Sequence, residues 1–407
     1  MRACLLTNEY PPNVYGGAGV HVDYLSRSLA KYIDVSVHSF GDQSVSDGSL
    51  AVTGHKPWKG MEYTDPRYGR AMEAFSTDLH MAANLGKIDI VHCHTWYTHL
   101  GGLMAQQLYQ VPFVLTTHSF EPSRPWKVDQ LGNAYYASAW VERTAMRESD
   151  GVIAVSKGMK KDAVELFGIP EKKVTVIHNG IDLDEYRQRT ETDALAKYGV
   201  DPKKPIVLFV GRITKQKGIL HLARAIPQIS KDAQIVLCAG AADDPGILKS
   251  LQEAVADAKK THPRVFWIEE MLPKAHAIQF YSHATVFCCP SIYEPFGIIN
   301  LEAMACNTAV VAAQVGGIPE VVVHNETGLM VPFKAISASD PDPQDAAKFS
   351  HDLAEGINSL LANPERCKAF AKAGRARVEA YFSWDAIAKK TVEYYEECIS
   401  RKKSAKS

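Results

Sequence analysis

The sequence predicts an α/β fold of two doubly wound, Rossmann-like domains, and three observations carry that expectation. The chain has 407 residues, two to three times the ~100–200 of a single domain. Short runs that are apolar on both faces alternate with helical stretches, the pattern of parallel strands covered by helices. The alternation halts at a polar, proline-flanked stretch near the middle of the chain and then restarts.

The elements follow in order. In the first half, strands are expected at 3–7, 35–39, 88–93, 113–117, 152–155 and 174–177, with helices such as 20–31 and 135–148 between them. Pro11-Pro12 and Gly16-Gly17 punctuate the first strand-to-helix turn. This series defines a first domain, 1–183. Residues 184–201 are polar and charged, and Pro202-Lys203-Lys204-Pro205 follows, so 184–204 reads as a linker. A second domain, 205–382, carries strands at 206–210, 234–239, 265–268, 285–289, 309–312 and 328–331. Beyond Pro343 the pattern is almost entirely helical. Phe382-Ser383-Trp384 opens a final amphipathic helix, 383–407, whose basic end 401–407 is expected to fray. In doubly wound sheets ligands sit at the carboxyl ends of the strands, where the strand order reverses. Two such domains are expected to face each other across a cleft.

Composition excludes several function classes. Hydrophobic residues make up 46% and charged residues 22%, ordinary values that rule out a disordered, collagenous or coiled-coil chain. Lys plus Arg number 45 and Asp plus Glu 46, a net charge of −1. Such a chain has no general field for nucleic acid or an anionic membrane, so neither is expected as a partner, and an anion must be held by a local site. No apolar run approaches the ~20 residues of a membrane span. The first strand turns polar at Asn8-Glu9, too early for a signal-peptide core. The eight cysteines lie mostly in apolar segments without a CxxC pair, which predicts reduced core thiols in a cytoplasmic protein.

Four groups of residues carry chemistry. Gly16-Gly17-Ala18-Gly19 follows a strand and opens a helix; its free N–H groups suit a phosphate, although the spacing is not GxGxxG and a plain tight turn reads equally well. Gly211-Arg212-Ile213-Thr214-Lys215-Gln216-Lys217-Gly218 follows the strand 206–210. Arg212 and Lys217 there can neutralise a diphosphate and stabilise a leaving phosphate, with a solvated basic loop as the plain alternative and Lys215 as a bystander. Glu294 lies in the loop after the strand 285–289, and Glu302 about a turn into the next helix. Gly297 and Ile298 offer N–H groups at that helix start. The two carboxylates can hold vicinal sugar hydroxyls; a glycosidase pair or a helix cap competes. His92 and His94 alternate on one strand and so share a face, His92 as a core histidine and His94, beside Trp96, as an active-site group. A zinc site needs a third ligand. His99 and His118 are available, but no signature spacing appears, so no metal is expected. Gly316-Gly317 can present further N–H groups to a ligand, while Asn179-Gly180 reads as structural.

Taken together these residues resemble the retaining family-4 glycosyltransferases of the GT-B fold. Gly211-Arg212-(x)4-Lys217-Gly218 and Glu294-(x)7-Glu302 stand in the family's order and spacing, and a His-x-His lies in the first domain. Glu9-Tyr10-Pro11-Pro12, Tyr15-Gly16-Gly17-Ala18-Gly19, Thr117-His118-Ser119-Phe120-Glu121-Pro122, Pro125-Trp126-Lys127 and Trp267-Ile268-Glu269-Glu270-Met271-Leu272-Pro273 are similar to the short, actinobacterial-type glycogen synthases. Some of that branch make maltose 1-phosphate instead.

The resemblance implies a hexosyltransferase that uses a nucleotide-glucose donor, ADP-glucose or possibly UDP-glucose, with no cofactor and no metal. Arg212 and Lys217 would bind the diphosphate, with N–H groups at Gly17, Gly211, Gly297 and Ile298. Glu302 would bind the donor ribose and Glu294 the transferred glucose. Ile268 and Met271 would line the base. His94 would contact the glucose, and Tyr15, Gly16 and His118 would face the acceptor. Asp182 and Trp384 would be structural, with the final helix crossing back to the first domain. The implied reaction is glucan (glycogen) extension, with glucose 1-phosphate as the alternative acceptor. Other small acceptors and a non-catalytic sugar-binding protein are further alternatives. A lipid acceptor is disfavoured, because 20–31 offers only His21, Arg27 and Lys31 as cations. Two departures stand out. Val14-Tyr15-Gly16-Gly17 lacks the lysine of the long synthases' Lys-x-Gly-Gly, and Asn307 stands where a glycine usually follows Cys306.

Overall fold

Each expected strand of both halves is present within two residues of its expected limits in the computed structural model, which describes residues 1–124, 127–240, 242–337 and 340–404. The described chain divides into two units, Met1–Gly180 with Trp384–Ser407, and Ile181–Ser383.

The first unit is an eight-stranded sheet: β1 Arg2–Thr7, β2 Asp34–Phe40, β3 Ser44–Asp47, β4 Leu50–His55, β5 Ile90–His94, β6 Phe113–Thr117, β7 Gly151–Ala154 and β8 Val174–Val176. The strand order is β3-β4-β2-β1-β5-β6-β7-β8. All neighbours pair in parallel except β3 with β4. Residues 44–55 were not expected as strands. β3 is fully exposed and lacks an apolar run, yet Asp47-Gly48 is a strong short-range hairpin signal. The order reverses between β1 and β5, so ligands are expected beyond Thr7 and His94. The helix Gly17–Leu29 starts three residues earlier than expected, so the glycine turn is itself the first helical turn.

The helix Trp384–Ser404 belongs to this unit. Ile387, Tyr394, Tyr395 and Cys398 share one core cluster with Leu5, Val22, Ile90 and Val114, each worth roughly 1.5–3 kcal/mol when fully buried. Trp384 stacks on Tyr24 at 5.8 Å. The expected fraying is corrected at 401–404, which continue the helix, with Lys402 3.0 Å from Asp150; residues 405–407 lie outside the described residues. The end of a helix favours such cations electrostatically.

The second unit is a six-stranded parallel sheet of β9 Ile206–Val210, β10 Gln234–Cys238, β11 Val265–Ile268, β12 Val286–Cys289, β13 Ala309–Ala313 and β14 Gly328–Val331. Its order is β11-β10-β9-β12-β13-β14, with the reversal between β9 and β12. The expected linker 184–204 is corrected: it is packed into this unit. Ala194 and Leu195 are fully buried, and Gln279 and Ser282 accept backbone N–H groups of Ala194 and Arg189. Its polar composition hid these anchors. Asn307 has φ +60°, the left-handed region that glycine adopts freely and asparagine tolerates, which accounts for the departure at that position. All eight cysteines are buried and unpaired. No helix among the described residues is long and apolar enough to cross a membrane.

Candidate active site

In the second unit both chemistry-bearing loops leave strands at the switch point. The β9 loop carries 211–218 and the β12 loop carries 290–297. They are pressed together. Gly218 has φ +62°, and a Cβ there would lie 2.0 Å from the carbonyl oxygen of Pro290, so only glycine fits. The N–H of Ile292 donates to the carbonyl of Gln216 at 3.0 Å. Thr214 caps the short turn Lys215–Lys217 by accepting the Lys217 N–H.

This contact brings Lys217 Nζ to 2.7 Å from Glu294 Oε2, with side chains only 18% and 8% exposed. Burial works against the Lys217 ammonium, but the Glu294 carboxylate outweighs it and holds the lysine above its ordinary value, so it stays charged. The Ser291 hydroxyl donates to the same oxygen at 3.2 Å. The N–H of Gly317 donates to the Glu294 carbonyl at 2.9 Å, and Gly316, at φ +55°, lies so close to that carbonyl that no side chain fits. The second glycine turn therefore braces Glu294. Arg212 pairs with Asp243 on the β10 loop at 2.8 Å, and its charge is felt at Lys217. Lys215 pairs with Asp342 at 2.9 Å, in keeping with a bystander. Both expected diphosphate cations thus rest on carboxylates, and an entering diphosphate would exchange or share those partners.

Glu302 lies on the helix Ile298–Ala305, whose N-cap is Gly297 with φ +100°. Its two oxygens accept bonds from the hydroxyls of Tyr186 at 3.0 Å and Tyr281 at 2.8 Å. Burial pushes its carboxyl up, and the two tyrosines pull the other way. Each oxygen keeps a second lone pair, enough for a vicinal diol. Ile268 is corrected as a base-lining side chain. It is 4% exposed, and its carbonyl accepts the Ala239 N–H, so its side chain belongs to the core. Met271 is 61% exposed. Gly211 donates its N–H to the Cys238 carbonyl at 3.1 Å, which occupies the group expected to bind phosphate.

The first unit's switch point is built from imidazoles. His92 is the expected core histidine, bonded to the Tyr395 hydroxyl at 2.6 Å and the Thr116 hydroxyl at 2.7 Å. His94 is fully buried, 3.0 Å from His118 through Nδ1, and its Nε2 has no partner among the described residues. Burial, aided by neighbouring imidazoles, holds both His94 and His118 well below their ordinary values. His21 bonds the Asn179 side-chain oxygen at 2.6 Å, and burial pushes it down to about 4. Its Nδ1 therefore carries the proton and its Nε2 is a bare lone pair. One ring nitrogen from each of His21, His94 and His118 lies within 4.8 Å of the other two. Three neutral imidazoles can exchange hydrogen bonds with sugar hydroxyls; they are also competent metal ligands. His99, the other expected third ligand, is not in this group.

The turn at Gly16 is less open to anions than expected. The Glu9 carboxylate already accepts the N–H groups of Tyr15 at 2.8 Å and Gly16 at 2.7 Å. Glu9 was read only as part of a motif. Tyr15 is half exposed. Asp182 is structural as implied, accepting the N–H groups of Asp184 and Glu185. Pro125 and Trp126 lie outside the described residues. Tyr186, Tyr281, Asp243 and His21 were missed as site residues. All are paired across long sequence separations, and only the His21 position beside the glycine turn offered a hint.

Two family models match: Glycosyltransferase Family 4 over residues 15–185 and Glycosyl transferases group 1 over residues 190–340. The alpha-maltose-1-phosphate synthase of Mycolicibacterium smegmatis is 46% identical over 399 residues, covering 97% of this chain and 99% of that protein. A glycogen synthase of Mycobacterium tuberculosis is 28% identical over 435 residues, covering 97% and 94%. Among solved structures, sucrose-phosphate synthase from Thermosynechococcus elongatus matches with a TM-score of 0.78 at 24% identity, over 98% of this chain and 100% of that one.

Proposed function

Since the chain belongs to the family-4 glycosyltransferases of the GT-B fold and is a hexosyltransferase, we propose that it moves glucose from ADP-glucose to glucose 1-phosphate, with retention, to give maltose 1-phosphate. The observation that carries this acceptor over a glucan is the contrast between 46% identity to a maltose-1-phosphate synthase and 28% to a glycogen synthase, each across nearly the whole chain. Extension of a glucan, the first expectation from sequence, becomes the secondary reading.

In the proposed reaction the bond between glucose C1 and the diphosphate oxygen breaks, and C1 bonds to the acceptor's 4-hydroxyl oxygen on the same face. The hydroxyl proton goes to the leaving phosphate oxygen. Lys217 and Arg212 stabilise the charge that grows on the diphosphate, an effect of about 3–4 kcal/mol for a well-placed donor. The N–H groups of Gly297 and Ile298 add the helix-start contribution. Glu294, fixed by Lys217, Ser291 and the Gly316-Gly317 turn, holds the glucose hydroxyls. Glu302 holds the ribose diol, and neutral His94 bonds the transferred glucose. Two cations and a helix start supply the neutralisation a metal would otherwise give, so no metal is required.

The test offers the purified protein ADP-glucose or UDP-glucose, with glycogen and with glucose 1-phosphate separately, with and without EDTA. Maltose 1-phosphate formed from ADP-glucose and undiminished by EDTA is the expected product. Glycogen extension without maltose 1-phosphate would return the acceptor to the glucan.

A further inference from the structure

An acceptor that carries a phosphate needs cations that a neutral glucan does not, and the first unit holds a group of them at the strand ends near His94. Tyr97 lies three residues past the end of β5, in the turn Trp96–Thr98. The Arg70 guanidinium carbon stands 5.4 Å from the centre of its ring. Beyond β6, Arg124 and Lys127 share one carboxylate oxygen of the fully buried Glu121. Arg124 bonds it directly and Lys127 Nζ lies 3.9 Å away. The other Glu121 oxygen accepts the Ser138 hydroxyl at 2.9 Å. Tyr97 and Leu131, the last residue of the helix Lys127–Leu131, pack against one cluster with Ala71, the neighbour of Arg70, and the Tyr97 hydroxyl feels the charges of Arg70, Glu121, Arg124 and Glu9. Glu142 accepts the Glu121 N–H, and burial and the Glu121 carboxylate push its carboxyl up.

Arg124 and Lys127 share the Glu121 carboxylate, and Glu9 is already committed to the N–H groups of Tyr15 and Gly16. Two further features mark the place as unfinished. Arg70 is the second residue of the 14-residue helix Gly69–Ala82, where the helix dipole disfavours a cation and favours an anion. The Tyr97 hydroxyl makes no hydrogen bond among the described residues. A dianionic phosphate supplies what both lack: charge for Arg70 and an acceptor for the phenol.

We propose that Arg70, Tyr97, Arg124 and Lys127 form the binding site for the acceptor's phosphate, and so select a sugar phosphate over a glucan. The inference rests on the glucose 1-phosphate reading above. It gives this chain a different source of acceptor contact from the lysine missing at Val14.

The experiment is steady-state transfer by the full chain, varying glucose 1-phosphate at fixed ADP-glucose, for the wild type, Arg70→Gln, Arg70→Lys and Tyr97→Phe. Arg70 is exposed and touches neither Glu121 nor the core, so its loss should leave the fold intact. Wild-type activity is read first. Glucan extension without maltose 1-phosphate would overturn the acceptor reading itself and this site with it. With wild-type maltose 1-phosphate formed, Arg70→Gln and Tyr97→Phe should each raise the KM for glucose 1-phosphate by about tenfold. The kcat and donor KM should stay within about twofold, and Arg70→Lys should recover part of the loss. Inorganic phosphate should compete with glucose 1-phosphate in the wild type and about tenfold more weakly in Arg70→Gln. An unchanged acceptor KM and unchanged phosphate inhibition in Arg70→Gln and Tyr97→Phe would overturn the site while leaving the acceptor reading standing.

Discussion

The two switch points are built on the same architecture and equipped in opposite ways. At the second unit's, charge is held ready in ion pairs, Lys217 with Glu294 and Arg212 with Asp243. At the first unit's, His21, His94 and His118 are packed as neutral rings whose ionisation burial suppresses. A doubly wound sheet fixes only where ligands meet the strands. The residues that each loop delivers then decide whether the place suits a diphosphate, which needs cations, or sugar hydroxyls, which need neutral donors and acceptors.

The strongest way to break this contrast is at the ion pair. Lys217→Ala should lower kcat by roughly 10²–10³-fold, measured as product formed from saturating ADP-glucose. The variant should also melt a few degrees lower, because Glu294 is left buried without its partner. Near-normal turnover in a folded Lys217→Ala protein would mean the charged switch point is not where the diphosphate leaves.

Acid separates the two units next. Burial depresses His21, His38 and His55 to about 4, and His92 and His99 to about 3, all in the first unit; the second contributes His221 at about 4. These rings are neutral when folded, whereas the unfolded chain binds protons below about pH 6.5. Their stability contribution is therefore complete above that pH and is lost as pH falls toward 4. Each ring adds up to about 1.4 kcal/mol per pH unit across the window. Hydrogen exchange at pH 7 and pH 5 should show amides of β1 and β5 losing more protection than those of β9 and β12. Equal losses would remove the electrostatic distinction between the units.

The smallest effect sharpens the second unit's own geometry. Tyr281→Phe removes one of the two hydroxyls that hold Glu302. It should raise the KM for the nucleotide-sugar about threefold with kcat unchanged, a loss of about 0.6 kcal/mol, at the low end of one hydrogen bond's net worth, because Tyr186 still holds Glu302. A change in kcat instead would place Glu302 closer to the reacting bond.

The sequence made the strands legible because a strand covered on both faces is a short unbroken apolar run, as in 206–210 or 309–313. It also showed Lys217 and Glu294, whose spacing from strand ends puts them on loops. The hairpin 44–55 was missed because an exposed edge needs no such run. The packing of 184–204 was missed because its anchors are single side chains, Gln279 and Ser282, some 85–93 positions away. The partners that tune each site, Asp243 for Arg212, Tyr281 for Glu302 and Asn179 for His21, are likewise contacts that only the folded chain brings together. Ile268 shows the converse error: a residue inside a recognisable motif whose side chain serves the core.

The helix Trp384–Ser404 also orders events during synthesis. Tyr395, which bonds His92 beneath the imidazole group, is made more than 300 residues after it. While the ribosome is still adding the second unit, the first lacks this helix and exposes the apolar surface that Ile387, Tyr394 and Tyr395 will cover. Until that last helix has been made, this surface stays uncovered and His92 lacks its Tyr395 partner.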